Sequence, residues 1–189
     1  MPTSMIRWRY VSLLSFLKKN PLRSIQDFDT RTFLSVAARQ PSSSLPARVA
    51  LIVSATADGW LYALLVPILL LARPASAREL LQLALTAFVF ERCCYFVLKN
   101  TFRRNRPQQA LAGFRAAIKP SDRFSLPSGH TSAAFLFVTL LCVFVSPLLS
   151  PLYLWAGAVG ASRVILGVHF PSDIVMGAAL GTSVGLSVV

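Results

Sequence analysis

Residues 162–173, SRVILGVHFPSD, place an arginine, a histidine and an aspartate at the junction of two long apolar runs. The runs cover residues 152–168 and 171–189, and the second begins with Pro171, a residue typical of a first helical turn. Ionisable side chains are unfavourable in apolar surroundings unless a partner compensates their charge. The stretch therefore predicts two helices joined at a place where charged groups are paired or reactive.

The composition places these helices in a membrane. Of the 189 residues, 54% are apolar and only 14% are charged. The apolar residues form five runs, at residues 49–72, 80–98, 131–146, 152–168 and 171–189. Because an α-helix rises about 1.5 Å per residue, each run reaches approximately across a hydrocarbon core of about 30 Å. We predict an all-α integral membrane protein, a helical bundle of about five transmembrane helices in a single domain, 1–189.

The N-terminal part of this domain has a different character. Residues 1–20, MPTSMIRWRYVSLLSFLKKN, mix basic and apolar side chains and have no small-residue cleavage site after a clean apolar core. The later segment 31–40 is too short and too charged to cross a bilayer. We therefore predict an interfacial N-terminal segment, 1–48, that lies on the membrane, followed by a transmembrane catalytic bundle, 49–189.

The net charge of +12 indicates anionic partners. Nucleic-acid binding requires a solvated basic face or a recognition module, and the apolar runs contain neither. Anionic lipid headgroups or phosphate groups fit better, so we predict membrane-lipid partners and no nucleic acid. The seven acidic residues are scattered along the chain, which argues against a magnesium site. We predict neither a metal nor another cofactor.

Alternate threading of five helices brings two distant segments to the same membrane surface. The loop 99–130 joins the second and third helices, and 162–173 joins the fourth and fifth. The loop begins with KNTFRRNRP and ends with FSLPSGH, which contains one of the chain's two histidines. We therefore expect the charged residues of both segments to share one site.

These segments contain the features of a phosphate site, namely three basic side chains and the N-terminal end of a helix. Lys99, Arg106 and Arg163 can surround a tetrahedral oxyanion, and each arginine can donate paired hydrogen bonds. Ser128 and Gly129 stand where the third helix begins, and unpaired backbone N–H groups at that position favour an anion.

The two histidines indicate that the phosphate site is reactive. Asp173 follows His169 by four residues, so its carboxylate can hold Nδ1–H and leave Nε2 free to attack phosphorus. His130 can then protonate the leaving oxygen and later activate water. The predicted catalytic residues are His169, His130 and Asp173.

In this order, K-x6-RP, PSGH and SR-x5-H-x3-D resemble the signature of the type-2 phosphatidic acid phosphatase superfamily. That superfamily includes bacterial membrane lipid phosphatases and the vanadium-dependent haloperoxidases. Every signature position matches, and the resemblance extends over residues 91–181. The resemblance implies metal-independent hydrolysis of a lipid phosphate or diphosphate monoester through a phosphohistidine intermediate.

Several alternatives stay open at this point. A lipid phosphotransferase would use the same pocket and differ only in the acceptor. A non-catalytic lipid-binding or transport protein would not need the histidine–aspartate pair, and a haloperoxidase would not need five apolar spans. The substrate is also open among polyprenyl diphosphates such as undecaprenyl diphosphate, phosphatidic acid, phosphatidylglycerophosphate and lysophospholipid phosphates. The oligomeric state is not predicted.

Other charged residues are not assigned to the site. For Arg103 and Arg104, inside the spacer of the first motif, headgroup contact or membrane anchoring is the preferred interpretation. Asp58 and the pair Glu91–Arg92 interrupt apolar runs, where structural pairing within the bundle is as good an explanation as function.

The basic residues also predict an orientation. Outside the site, thirteen lie on the face that carries the site and the N-terminal segment, and two, Arg73 and Arg78, lie on the opposite face. The positive-inside rule then predicts a cytoplasmic site in a bacterial inner (plasma) membrane. The family resemblance implies the opposite, because many bacterial relatives hold their sites outside the cytoplasm.

Overall fold

The computed structural model describes residues 21–37, 44–120 and 122–188, so the interfacial prediction for residues 1–20 lies outside the described part. Within these ranges the chain is helical and contains no strand. The helices are α1 (Pro21–Val36), α2 (Leu45–Ala55), α3 (Leu65–Ala72), α4 (Ala77–Phe102), α5 (Pro107–Ala110), α6 (Gly129–Phe144), α7 (Leu152–Ile165) and α8 (Pro171–Leu186). Two short 3₁₀ helices, Trp60–Leu64 and Pro147–Leu149, connect them. The predicted all-α fold class is confirmed.

Helix α6 is the centre of the bundle, and its fully buried side chains include Leu136, Val138 and Leu140. Helix α8 runs beside α6 in the same direction. Glycines on α8 allow the two backbones to approach closely. A Cβ atom at Gly177 would lie 2.6 Å from the Ser128 carbonyl oxygen, a distance that no larger residue tolerates. The N-terminal ends of α6 and α8 therefore meet, and the Ser128 N–H donates to the Asp173 carbonyl at 3.0 Å.

The first predicted span is not one continuous helix. Helix α2 ends at Ala55, and the 3₁₀ helix Trp60–Leu64 leads into α3, with a bend of 45° between the two halves. The break contains Asp58 and Gly59, and Gly59 adopts a left-handed φ of 44°. Glycine adopts positive φ without the steric cost of a side chain, so the sequence itself favours a break here.

The number of membrane-crossing helices is not confirmed as five. By length and apolar composition, two segments of the described chain qualify, Ala77–Ala110 and Pro147–Ile165, or three if the bent first pair is one span. Helix α6 has 16 residues, which corresponds to about 24 Å and falls short of a full crossing. The prediction of a membrane protein is confirmed, whereas helix length alone does not support five membrane-crossing helices.

Helix α1 is amphipathic, and its exposed residues include large apolar side chains as well as the charged Asp27 and Arg31. Ile25 and Phe28 are 54% and 67% exposed, whereas Asp29 and Phe33 are buried against the bundle. The Asp29 carboxylate accepts a hydrogen bond of 2.9 Å from the Ser172 N–H in the first turn of α8. The segment predicted to lie on the membrane thus also holds the start of α8.

Candidate active site

One pocket of about 600 Å³ brings most of the predicted site residues together. Five of the eight line it directly: Arg106, Gly129, His130, Arg163 and His169. The other three do not line it. Lys99 and Asp173 contact the pocket residues Asp122 and His169, and Ser128 is bonded to Asp173. The two motif segments therefore converge as the alternating helices predict.

His169 lies in the short connection between α7 and α8, and its side chain is only 3% exposed. Its Nδ1 is 3.5 Å from Asp173 Oδ2, and no described residue forms a hydrogen bond to this buried nitrogen. Its Nε2 lies 3.4 Å from Arg106 Nη1. Burial lowers the pKa of His169 to about 4, although the Asp173 carboxylate acts in the opposite direction. The imidazole is therefore neutral at pH 7.

A buried network holds the Asp173 carboxylate in place. Asp173 Oδ2 accepts from the Phe170 N–H at 2.8 Å, and Oδ1 accepts from Arg104 at 2.7 Å. The same guanidinium donates to Asp29 at 2.6 Å. The preferred interpretation of Arg104 as a headgroup or anchoring residue is therefore wrong, since both of its terminal nitrogens are engaged inside the protein. Arg104 positions the carboxylate behind His169.

Arg106 is the most heavily bonded cation at the site and is 2% exposed. It donates from Nη1 to the Val168 carbonyl at 2.7 Å, which fixes the guanidinium beside His169. Its Nε donates to the Asp122 backbone carbonyl at 3.0 Å, and its Nη2 forms an ion pair with the Asp122 carboxylate. The arginine therefore ties the loop 99–130 to the α7–α8 connection.

Asp122 is a site residue that the sequence motifs do not identify. Its carboxylate accepts from Lys99 Nζ at 2.9 Å, from Tyr95 Oη at 2.6 Å and from Arg106. Burial raises the pKa of Asp122, but these hydrogen bonds outweigh it and lower the pKa to about 2. A carboxylate thus occupies the two cations, Lys99 and Arg106, that we predict to bind phosphate.

Arg163 differs from Lys99 and Arg106 in that no carboxylate of the described residues forms an ion pair with it. It is 5% exposed, and its Nη1 donates to Ser54 on α2 at 2.6 Å. Its buried Nε has no hydrogen-bond partner among the described residues. Because a buried guanidinium nitrogen without a partner is energetically unfavourable, this group lacks an acceptor that a bound anion would provide.

His130, in the first turn of α6, pairs with a carboxylate that the sequence left unassigned. Its Nε2 lies 2.9 Å from Asp58 Oδ1, and both residues line the pocket together with Arg163. Gly129 beside it lines the pocket, whereas the Ser128 N–H is bonded to the Asp173 carbonyl. An anion-binding role for the Ser128 amide would thus require this bond to change.

Glu91 and Arg92, which interrupt the second apolar run, form an ion pair with each other, as the structural interpretation predicts. Glu91 is completely buried, and both its oxygens accept from Arg92, at 2.6 and 2.7 Å. Ser132 on α6 donates to the same carboxylate, which links α4 to the central helix. Arg92 is 40% exposed and lines the pocket, so it adds a further positive charge there.

Fold and site together define a class: an all-α membrane protein whose pocket is lined by arginines and two histidines. Residues 79–189 match the model of the PAP2 superfamily, and the chain belongs to that superfamily. It is a phosphatase that hydrolyses phosphoric monoesters.

Three relatives carry phosphatase names. The decaprenylphosphoryl-5-phosphoribose phosphatase of Mycobacterium tuberculosis is 32% identical over 136 residues, 67% of this chain and 68% of the relative. Phosphatidylglycerophosphatase B of Bacillus subtilis is 36% identical over 110 residues, 52% of this chain and 51% of the relative. The lipid A 4'-phosphatase of Bacteroides thetaiotaomicron is 30% identical over 106 residues, 52% of this chain and 47% of the relative.

Two solved structures share the fold. Aquifex aeolicus LpxE superposes with a TM-score of 0.71 at 25% identity, covering 84% of this chain and 93% of the other. The transmembrane PAP2-type phosphatidylglycerolphosphate phosphatase of Bacillus subtilis superposes with a TM-score of 0.64 at 23% identity, covering 98% and 92%. At this level of identity, the similarity to the second structure supports the fold only.

Proposed function

We propose that the protein hydrolyses a lipid phosphate or diphosphate monoester through a phosphohistidine on His169, without a metal ion. One observation carries the proposal: His169 Nε2 opens toward the pocket 3.4 Å from Arg106, while Nδ1 is turned to the Asp173 carboxylate. A neutral imidazole with one nitrogen facing a carboxylate and the other facing a cation-lined pocket is arranged as a nucleophile.

In the first half-reaction, Nε2 of His169 attacks phosphorus and the bond to the leaving lipid oxygen breaks. His130 gives its proton to that oxygen, so a lipid phosphate releases the neutral lipid alcohol and a lipid diphosphate releases the lipid monophosphate. In the second half-reaction, His130 takes a proton from water, and the resulting hydroxide displaces His169 from phosphorus to release inorganic phosphate. Arg106, Arg163 and Lys99, together with the Gly129 N–H, stabilise the charge of both transition states.

The walls of the pocket support a lipid as the substrate. Beside its charged end, the pocket is lined by Phe88, Phe96 and Ala133 on α4 and α6. Phe96 is 58% exposed on the outer face of the bundle, where acyl or prenyl chains lie in a membrane. The named relatives act on lipid or lipid-linked phosphates, in agreement with this arrangement.

The direct test is phosphate release by the purified protein in detergent. The panel contains undecaprenyl diphosphate, phosphatidic acid, phosphatidylglycerophosphate and a lysophospholipid phosphate, each with and without EDTA. We expect phosphate release from at least one lipid, unchanged by EDTA. Loss of activity in EDTA that magnesium restores would contradict the metal-free mechanism. Transfer of phosphate to an added lipid alcohol, with little free phosphate, would identify a phosphotransferase instead.

A second prediction concerns Asp122. Because its carboxylate holds Lys99 and Arg106, an incoming phosphate has to replace it at those cations. Asp122→Asn removes this competitor, so we expect vanadate to inhibit at about a tenth of the concentration that the wild type requires. The matched control, Asp27→Asn, changes an exposed aspartate on α1 and should leave the inhibition constant unchanged. Weaker inhibition of Asp122→Asn would show instead that Asp122 holds the two cations in position.

We also propose that the protein resides in a bacterial inner membrane with its site facing the cytoplasm. The support is the excess of basic residues on the face of the site. Single cysteines in loop 108–122, on a background without Cys93, Cys94 and Cys142, test the orientation. We expect protection from a membrane-impermeant thiol reagent in intact cells; labelling there would place the site outside.

A further inference from the structure

We propose that Asp58, in the break of the first span, positions the imidazole of His130. Because Asp58 holds Nε2 of that ring, Nδ1 is the atom that exchanges the proton with the leaving oxygen. The inference rests on the proposed function, in which His130 is the general acid. It assigns a role to a charged residue that interrupts an apolar run and that none of the three motifs contains.

The contact itself is the first observation. Asp58 Oδ1 lies 2.9 Å from His130 Nε2, within hydrogen-bond distance, and both residues line the pocket. A carboxylate accepts only, so Nε2 carries a hydrogen in this pair. The proton given to the leaving oxygen then comes from Nδ1, and the neutral ring that remains keeps its Nε2–H on Asp58. This arrangement fixes the tautomer, as a carboxylate does in a serine-hydrolase triad.

The backbone around Asp58 is the second observation. The two residues before Asp58 are anchored, because Tyr62 Oη donates to the Ala57 carbonyl at 3.1 Å and Trp155 Nε1 on α7 donates to Thr56 Oγ1 at 2.9 Å. The Asp58 N–H itself donates to the Ala55 carbonyl at 3.2 Å. The carboxylate is therefore presented to His130 from a fixed turn, although the side chain is 60% exposed to the pocket mouth.

The charges around His130 explain why a carboxylate beside the ring matters for its protonated form. Arg92, Arg106 and Arg163 line the same pocket. Arg92 and Arg106 are each paired with a carboxylate, whereas Arg163 has none among the described residues. The Arg163 guanidinium therefore disfavours an imidazolium nearby, whereas a carboxylate in direct contact with the ring favours it. Asp58 is the acidic group bonded to the ring in the described structure, and Asp122, which also lines the pocket, is already paired with Lys99 and Arg106.

The test is Asp58→Asn, measured on a lipid phosphate with an alkoxide leaving group and on an aryl phosphate with a good one. We expect kcat on the lipid to fall about 10- to 100-fold with little change in KM, and a much smaller loss on the aryl phosphate. Asp58→Glu, which keeps the carboxylate, should recover part of the lipid activity. In a His130→Ala background, Asp58→Asn should have no further effect.

The outcomes separate this inference from the proposed function. If the wild type releases no phosphate from any lipid, the proposed function fails. If the wild type is active and Asp58→Asn behaves as the exposed-residue control Asp27→Asn does, only the role of Asp58 fails. Equal losses on both substrates, or losses that multiply with those of His130→Ala, would also overturn it. An increase in KM alone would show that Asp58 contacts the substrate.

Discussion

Replacing His169 by alanine is expected to lower kcat by about 10⁴-fold or more, because it removes the atom that accepts the phosphoryl group in the proposed mechanism. Among the described residues that line the pocket, the other imidazole is His130, and it is paired with Asp58. Water would have to attack the ester directly, without a covalent intermediate. Phosphate release from a lipid phosphate in detergent measures the loss.

Two controls make the result specific to chemistry. His169 is almost completely buried, so the thermal stability of the variant must be compared with that of the wild type. Rapid quenching of the wild type in base with radiolabelled substrate should trap phosphate on the protein, and subsequent acid treatment should release it. A folded His169→Ala variant that keeps more than about a hundredth of the activity would contradict the phosphohistidine mechanism.

The sequence predicted the convergence of the site because its motif residues stand next to helix ends. Once alternate threading is assumed, helix ends determine which loops meet. Arg106 and His169 are 63 positions apart along the chain, and the structure places them 3.4 Å from each other. The spacing of His169 and Asp173 around Pro171 likewise predicts that the carboxylate enters the first turn of α8 and faces the ring.

The supporting carboxylates could not be predicted because each is a single charge without a pattern. Asp29 is bonded to Arg104, 75 positions away, and Asp58 to His130, 72 positions away. No spacing rule connects such pairs, since only the tertiary packing of α1 and of the broken first span brings them together. For Asp58, the available signal was its position beside Gly59 inside an apolar run, which marks a break where a charge can leave the lipid.

The helix count was not predictable from apolar run length for a related reason. Helix α6 is apolar because it is surrounded by protein, with Leu136 and Leu140 fully buried, so its composition reflects the bundle core. A buried helix and a lipid-facing helix of similar length have the same apolar content, and the sequence pattern does not distinguish them.

Replacing His130 by alanine is expected to lower kcat on a lipid phosphate by about 10²- to 10⁴-fold, the range typical of a lost general acid. The leaving alkoxide is strongly basic, so without a proton donor it departs slowly. An aryl phosphate leaves as a weakly basic phenoxide and needs little protonation, so the first step should be nearly normal for it. Hydrolysis of the phosphohistidine still lacks a base, and a burst of phenol followed by slow turnover should result.

This burst distinguishes His130 from a residue that only binds phosphate. In the proposed mechanism Arg163 contacts the phosphate whatever its leaving group, so its loss should slow both substrates equally and produce no burst. His130→Ala should instead show a large ratio between the two substrates in the first step and a common slow rate in the second. Equal losses in the first step would assign proton donation to another group, and Asp58, 2.9 Å from the ring, would be the first residue to test.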